Sequence, residues 1–381
     1  MRILITLPWG QRLGGAEAML QMVLDGAQES GHELEPVFFE EGPWADELRR
    51  AGFRVEVIRA GHLREAHRLA ASVIRLSRLM RARQPDLILN WAAKTQLYGS
   101  PAAALAGMTN RVVWWQQGIP DGFWLDRIAT RLPARAIACY SEAAARAQRT
   151  MSPVRETFPV AAGAPAPAPA ATSNGSAPQR PLEVPPGIPV VGLVGRLQPW
   201  KGQDRLLRAQ AILRERGHEI HHVIVGGDAY GLSAEYAAGL PLLVRSLGLQ
   251  DAVTMTGQVP DAGPYIEQMD ILVNASDPEP FGIVLLEGMA RGVAVLAVDS
   301  GGPAEFIADG VTGVLASSGE PAALADGLER LLIAPELRAE LAGAGRERYL
   351  REFTDAAMRE RFFGRFEALL AEGAPAPGRR A

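Results

Sequence analysis

"IPVVGLVGRLQPWKGQDRLLRAQAILRERG" (residues 188–217) holds one complete strand, loop and helix. The apolar run IPVVGLVG predicts a buried strand, and residues 203–216 have the apolar spacing of an amphipathic helix. The same alternation runs through the rest of the chain, with few hairpin signals between the strands. It predicts parallel sheets covered by helices on both faces, which is an α/β fold.

A change of composition divides the chain into two such domains. Residues 161–187 are mainly Ala, Pro, Ser and Gly, so they predict a linker that cannot bury a core. The 381 residues also exceed the usual size of one core. We therefore predict two Rossmann-like, doubly wound domains (1–160 and 189–352) that face a central cleft, joined by a linker (161–188). Loops at the carboxyl ends of the strands would bind the ligand there.

The charge and cysteine content narrow the class of protein. The net charge is -4, with +4 on residues 1–160 and -8 on the rest, so the chain is not predicted to bind nucleic acid. Cys139 is the only cysteine, which rules out an intrachain disulfide, and its apolar surroundings predict an inert thiol. The sequence has no signal-peptide pattern and no apolar stretch of about 20 residues. We predict a cytoplasmic protein, with peripheral attachment at the inner membrane face as the alternative.

Two loops that follow predicted strands could hold an anion. Arg196 and Lys201 flank the loop within GRLQPWKG, and two cations over one loop suit a diphosphate. A pair of solvated surface charges is the alternative. Near the N-terminus, Gly14 and Gly15 open the first helix, whose free N–H groups could meet a phosphate. A plain tight turn is the alternative there, and the G-x-G-x-x-G dinucleotide fingerprint is absent.

Two glutamates bracket the stretch DPEPFGIVLLEGMARG (277–292). If the chain is helical from Glu279 onward, Glu279 and Glu287 lie about 12 Å apart on one broad side. A ligand that touches both must be long, as a nucleotide sugar is. One strand later, Gly301 and Gly302 lead into another helix N-terminus, where a phosphate or a sugar hydroxyl could bind; a simple turn is the alternative.

Together these residues resemble the retaining GT-B nucleotide-sugar glycosyltransferases, glycosyltransferase family 4 (glycosyl transferases group 1). The matching motifs are GGAE (14–17), GRLQPWKG (195–202), EPFGIVLLE (279–287) and GGPAEFI (301–307), in the order of that family. The resemblance implies a GT-B fold over nearly the whole chain. It also implies an acceptor-side domain (1–160), a donor-binding domain (189–352), a helix that crosses back to the N-terminal domain (353–372) and a disordered tail (373–381).

The same resemblance implies roles for individual residues. Arg196 and Lys201 would bind the diphosphate and stabilise the leaving group, while Glu279 would contact the transferred sugar. Glu287 would hold the ribose. The remaining predicted donor contacts are Gly14, Gly15, Gln117, Gly195, Phe281, Gly282 and Ile283. The reaction implied is metal-independent transfer of a hexosyl group from a UDP- or GDP-sugar to a glycan or lipid-linked acceptor, with retention, in cell-surface polysaccharide or glycolipid synthesis. No D-x-D motif occurs, so no metal and no further cofactor are predicted.

One position departs from the family pattern. Members usually have a histidine after the fifth N-terminal strand, where this chain reads RVVWWQQGIPDGF. Gln117 is the better match and Gln116 the other, and a glutamine cannot titrate near neutral pH. A nucleotide-sugar-binding protein without turnover is therefore a second hypothesis. A dinucleotide-dependent oxidoreductase is a third, which the missing glycine fingerprint disfavours.

Residues 63–83 predict a basic amphipathic helix. Arginines recur along it beside a stripe formed by Leu69, Val73, Ile74, Leu76 and Leu79. Such a helix could bind an anionic membrane surface. A solvated helix that packs its apolar side on the sheet is the alternative.

Overall fold

The computed structural model describes two compact units. The described residues are 1–12, 14–60, 66–167, 181–231 and 233–372. Unit 1 consists of Met1–Ala161 with Ala356–Ala381, and unit 2 of Ala162–Asp355. Each has a parallel β-sheet with helices packed around it, so the predicted class of two doubly wound α/β domains is confirmed. The predicted tail, 373–381, lies outside the described residues.

Unit 1 is built on a seven-stranded parallel sheet in the order β3-β2-β1-β4-β5-β6-β7. Its strands are β1 (Arg2–Leu7), β2 (Glu33–Phe38), β3 (Glu56–Val57), β4 (Leu87–Asn90), β5 (Val112–Gln116), β6 (Ala136–Cys139) and β7 (Glu156–Pro159). Its first six helices are α1 (Gly15–Asp25), α2 (Pro43–Arg50), α3 (Ala66–Arg83), α4 (Ala93–Ala106), α5 (Trp124–Arg131) and α6 (Glu142–Arg149). The sequence GAEAMLQMVLDGAQESG (15–31) predicts a helix that is closed by Gly31, but α1 ends at Asp25 with Gly26 as its C-cap, so that predicted end is wrong.

The last helix of the chain also belongs to unit 1. This helix, α14 (Asp355–Glu372), stacks Phe362 on the buried ring of Trp115 with 5.8 Å between centroids. Phe366 makes an edge contact with Phe158 of β7. Two aromatic contacts of this kind bury large apolar areas, so α14 completes the core of unit 1.

Unit 2 has a six-stranded parallel sheet in the order β10-β9-β8-β11-β12-β13. Its strands are β8 (Val190–Val194), β9 (His221–Val225), β10 (Val253–Gly257), β11 (Ile271–Asn274), β12 (Ala294–Val298) and β13 (Val314–Ala316). Its helices are α7 (Gln203–Glu215), α8 (Ala234–Ser246), α9 (Gly263–Ile266), α10 (Ile283–Ala290), α11 (Pro303–Phe306), α12 (Pro321–Leu332) and α13 (Pro335–Glu352).

The first residues of the predicted linker are held by unit 2. The Ala164 amide donates to the carbonyl of Phe353 at 3.0 Å, and the Tyr349 hydroxyl donates to the Ala164 carbonyl at 3.0 Å. Residues 162–167 therefore form part of a packed domain instead of a linker. The middle of the predicted linker, 168–180, lies outside the described residues.

One buried histidine in the unit 2 sheet makes stability depend on pH. His222 in β9 is fully buried, and neither ring nitrogen has a hydrogen-bond partner among the described residues. Burial, with a smaller effect of His221, lowers the pKa of His222 to about 3. At pH values between about 6.5, the pKa of an unfolded histidine, and about 3, this side chain binds a proton in the unfolded chain but not in the folded chain. Stability is therefore lost as the pH falls from about 6.5 toward 3, by roughly 2 kcal/mol at pH 5.

We expect His222→Val to remove most of this acid sensitivity. Urea unfolding at pH 8 and pH 5 should show a clearly smaller loss of unfolding free energy in the variant, because valine has no proton to exclude. His67→Gln, on an exposed position of α3, is the matched control and should behave as the wild type. Equal pH dependence in His222→Val and wild type would contradict this account.

Candidate functional site in unit 2

The strongest candidate site lies where the strand order of unit 2 reverses. β8 and β11 are neighbours at that point, and their connections diverge toward β9 and β12 on either side. Doubly wound sheets bind ligands at the carboxyl ends of such strands. Residues 195–202 follow β8, and residues 275–282 follow β11. The fold therefore brings two of the sequence motifs to one edge of the sheet.

An ion pair joins these two loops. The Lys201 ammonium lies 2.8 Å from Oε2 of Glu279, and both side chains are largely buried, with 18% and 8% of their surfaces exposed. The same ammonium lies 4.0 Å from the ring centroid of Trp200, at a distance suited to a cation–π interaction. The structure thus brings together a predicted phosphate-binding cation and a predicted sugar-binding acid.

The Glu279 carboxylate is held in its charged form. Burial raises its pKa, but the neighbouring Lys201 charge and a hydrogen bond from Lys201 act in the opposite direction. Asn274 adds a donor at 3.1 Å, and Ser276 contributes another hydrogen bond. The net pKa of Glu279 is lowered, so the group is an ionised acceptor at neutral pH.

Arg205 links the two loops by hydrogen bonds to a backbone carbonyl in each. Its guanidinium donates to the carbonyl of Trp200 at 3.2 Å and to that of Ala275 at 2.6 Å. Gly202 lies so close that a Cβ there would meet the Ala275 carbonyl oxygen at 2.5 Å, and its φ of +73° also favours glycine. Arg205, Asn274 and Trp200 were not predicted as site residues. The only sequence signal for Arg205 is its position one turn into the helix after Lys201.

The loop after β12 supports the acidic loop from the other side. The Glu279 amide donates to the Ser300 carbonyl at 3.2 Å, and the Gly302 amide donates to the Glu279 carbonyl at 2.8 Å. A Cβ on Gly302 would lie 2.4 Å from Cα of Phe281. The second glycine of GGPAEFI is therefore required by close backbone packing, which positions Glu279.

Helix α10 begins four residues after Glu279. Gly282 precedes the helix with a φ of +94°, so the chain is not helical at Glu279. The assumption of a continuous helix from Glu279, from which the 12 Å spacing was calculated, is wrong. Phe281 is buried and packs its ring on Phe306, 5.1 Å away between centroids. The Phe281 ring is therefore part of the packed core, and Gly282 and Ile283 form the helix start beside it.

Glu287 lies on α10, eight residues after Glu279. Its side chain is half-buried, and within the described chain its carboxylate accepts no hydrogen bond. Burial raises the pKa of this carboxyl, Arg291 lowers it, and Asp261 raises it, for a net upward shift. Glu287 is therefore an acceptor without a protein donor, as a ligand-binding carboxylate would be. Arg196 and Gly195, in the loop after β8, are also half-buried.

The remaining predicted residues lie at the carboxyl edge of the unit 1 sheet. Gly14 is the N-cap of α1 and Gly15 its first residue. Gln117 follows β5, is half-buried and donates to the Trp91 carbonyl, at the end of β4. Gln116 is buried in β5, where its amide donates to Asp126 at 3.1 Å. Of the two glutamines, Gln117 is thus the one with an accessible side chain.

The described residues contain neither a candidate metal site nor a candidate membrane span. Across the described ranges, no three His, Cys, Asp or Glu side chains gather closely enough to hold a metal ion. No helix in the described part of the chain is long and apolar enough to cross a membrane.

Solved structures with the same architecture define the class. The structure of Anabaena Alr3699/HepE in complex with UDP and glucose superposes with a TM-score of 0.80 at 24% identity, over 97% of this chain and 100% of that one. Sucrose-phosphate synthase from Thermosynechococcus elongatus has a TM-score of 0.77 at 21% identity, over 98% and 100% of the two chains. At these identities the likeness shows the fold, which is GT-B.

The sequence of unit 2 resembles a known family. Residues 179–348 match the family Glycosyl transferases group 1. A D-inositol 3-phosphate glycosyltransferase from Actinosynnema mirum is 37% identical over 172 residues, which is 43% of this chain and 41% of the relative. The enzyme of that name from Segniliparus rotundus is 35% identical over 206 residues, or 52% and 44%. The chain thus spans less than half the length of these curated relatives.

Proposed function

We propose that the protein transfers a hexosyl group from a UDP- or GDP-sugar to a glycan or lipid-linked acceptor, with retention and without a metal ion, in the synthesis of a cell-surface polysaccharide or glycolipid. The observation that carries the proposal is the buried Lys201–Glu279 pair, which bridges two loops at the switch point of unit 2. The name of the curated relatives and the UDP and glucose bound to Anabaena HepE support a nucleotide-sugar donor.

In the proposed reaction, Lys201 acts on the diphosphate and Glu279 acts on the sugar, on either side of the bond that breaks. The bond between the sugar C1 and the diphosphate oxygen breaks, a bond from C1 to the acceptor oxygen forms, and the proton of the acceptor hydroxyl passes to the departing diphosphate. Lys201 and Arg196 stabilise the negative charge that develops on the leaving diphosphate. Glu279, ionised and fixed by Asn274, accepts hydrogen bonds from hydroxyls of the transferred sugar.

Glu287 is proposed to bind the ribose hydroxyls. We expect Glu287→Ala to raise the Kd for the nucleotide sugar about 30-fold, because two hydrogen bonds to a charged acceptor are lost. The measurement is calorimetric titration with the donor found by thermal-shift screening of UDP, GDP and their sugars. Glu336→Ala, on the exposed first turn of α13, is the control. Donor affinity that is unchanged in Glu287→Ala would remove Glu287 from the site.

A protein that binds nucleotide sugars without turnover is the second candidate. It is favoured by Gln117, which stands where related enzymes have a titratable histidine. Incubation with the bound donor and EDTA, followed by measurement of free sugar and transferred sugar, separates the two. Turnover under these conditions supports the transferase without a metal. Tight binding with no turnover of any donor, in EDTA or with added Mg²⁺ or Mn²⁺, would favour the silent binder.

We propose that unit 1 contacts the acceptor and, through α3, an anionic membrane surface at the inner face. Arg75 and Arg78 are exposed on α3 and would attract anionic lipid at about 1 kcal/mol each. The apolar stripe predicted for membrane contact is instead largely in the core: Leu76 is fully buried, and Ile74 alone of the stripe is exposed. Contact through α3 would therefore be electrostatic, without insertion of that stripe. Arg64, at the start of the predicted helix, lies outside the described residues.

A further inference from the structure

Three neighbouring helices form one outer surface of unit 1. α3 packs against α4, and α4 packs against α5, in a single layer over the sheet. Their inner sides supply core residues such as Leu76, Tyr98 and Ala129. The exposed side chains of the three helices therefore point away from the sheet, on the same side of unit 1.

An apolar cluster is exposed on this surface at the start of α5. Phe123, Trp124 and Ile128 are 55%, 52% and 41% exposed, and the two aromatic rings lie 5.7 Å apart. Ile128 is one helical turn after Trp124, so the three side chains are contiguous. Single exposed apolar residues are common on soluble proteins, whereas a contiguous cluster with two aromatic rings marks an interaction site.

The charges around this cluster are mainly positive, although the exposed carboxylate of Asp121 accepts a hydrogen bond from the Phe123 amide at 2.9 Å. Arg127 and Arg131 follow Trp124 by three and seven residues, which places them on the same side of α5. Within the described chain, neither of them forms an ion pair, and neither do Arg75 and Arg78 of α3. Within the bounds given for them, α3 and α4 contain no acidic residue. Asp126, the one acid of α5, is half-buried and hydrogen-bonded to Gln116.

We propose that the outer face of α3 and α5 seats unit 1 on an anionic lipid bilayer, with Phe123, Trp124 and Ile128 as its apolar anchor. Aromatic rings beside arginines suit the boundary between lipid headgroups and acyl chains. The arginines complement anionic headgroups, and the anchor supplies the apolar insertion that α3 lacks. Phe123 follows Gln117 by six residues, at the carboxyl edge of the sheet. This membrane contact would bring the carboxyl edge of the sheet to the lipid surface. The inference therefore rests on the proposed function, in which the acceptor is lipid-linked, and extends it.

Vesicle co-sedimentation of the full chain tests this seating. Vesicles of phosphatidylcholine with phosphatidylglycerol are compared with pure phosphatidylcholine, at low and high salt. We expect wild type to bind the anionic vesicles, and F123A/W124A to bind them at least tenfold more weakly. R75E/R78E should lose binding at low salt as well. The matched controls lie in unit 2: L242A/I333A removes equally exposed apolar groups, and R208E/R245E reverses exposed charges. Both controls should bind as wild type does.

Several results would overturn the proposal. One is that the wild-type protein fails to bind anionic vesicles at low salt. Another is that F123A/W124A binds these vesicles as tightly as wild type does. A lipid-free oligomer that F123A/W124A dissociates would assign the cluster to a protein interface instead. Nucleotide titration of the same variants keeps this test separate from the transferase proposal. We expect F123A/W124A to bind UDP or GDP as wild type does, whatever happens on vesicles.

Discussion

Lys201→Ala is expected to lower kcat/KM for donor hydrolysis or transfer by about a thousandfold. The ammonium is the cation that the structure fixes most firmly at the switch point, between the Trp200 ring and the Glu279 carboxylate. Its removal takes away charge stabilisation of the leaving diphosphate. It also leaves Glu279 charged and buried without its partner, at a cost on the order of 3 kcal/mol in stability.

A double variant separates these two consequences. In K201A/E279Q the buried charge is gone as well, so the midpoint of unfolding should recover toward that of wild type. Activity should stay low, because no cation has been restored. Arg208→Ala, an exposed position on α7, is the control for loss of a basic residue from the same domain. Lys201→Ala with wild-type kcat/KM would contradict the assigned role.

Glu279→Gln is expected to have opposite effects on turnover and on product binding. Transfer should fall by about a hundredfold, because an ionised acceptor for the sugar hydroxyls is lost. Affinity for UDP or GDP should rise, by about threefold to tenfold, because the diphosphate no longer competes with a carboxylate for Lys201. Steady-state kinetics and calorimetric titration of the nucleoside diphosphate measure the two effects on one preparation.

Asn274→Ala is the matched comparison for Glu279→Gln. It removes one donor to the Glu279 carboxylate and leaves the ion pair with Lys201 in place. Turnover should therefore fall less than in Glu279→Gln, and product affinity should stay near that of wild type. If Glu279→Gln weakens UDP and GDP binding as strongly as it weakens transfer, Glu279 does not act on the sugar as proposed.

The strand–helix alternation was sufficient to predict the architecture because parallel strands are buried on both faces and their sequences are continuously apolar. β8, with the residues VVGLV, is such a case. β7 was not predicted, since it is four residues long and ends in Pro159. The end of α1 was placed too late because Gly31 follows a run with good helix formers, whereas the chain already turns at Gly26.

At the site, the sequence identified the charged residues but not the contacts between them. Lys201 and Glu279 are 78 residues apart, and only the pairing of β8 with β11 brings their loops together. Gly302 is required because its backbone packs closely against that of Phe281. A sequence motif does not show which backbone segments pack together. The supporting roles of Arg205 and Asn274 depend on single hydrogen bonds, for which residue spacing gives no pattern.

The most direct test of the donor site is calorimetric titration of UDP and GDP into wild type and K201A/E279Q, both in EDTA. We predict that one nucleotide binds wild type with one-to-one stoichiometry and a micromolar Kd, and that the double variant, which keeps its fold, binds at least tenfold more weakly. Failure of both nucleotides to bind wild type at millimolar concentration, or equal affinity in the double variant, would contradict a donor site at the Lys201–Glu279 pair.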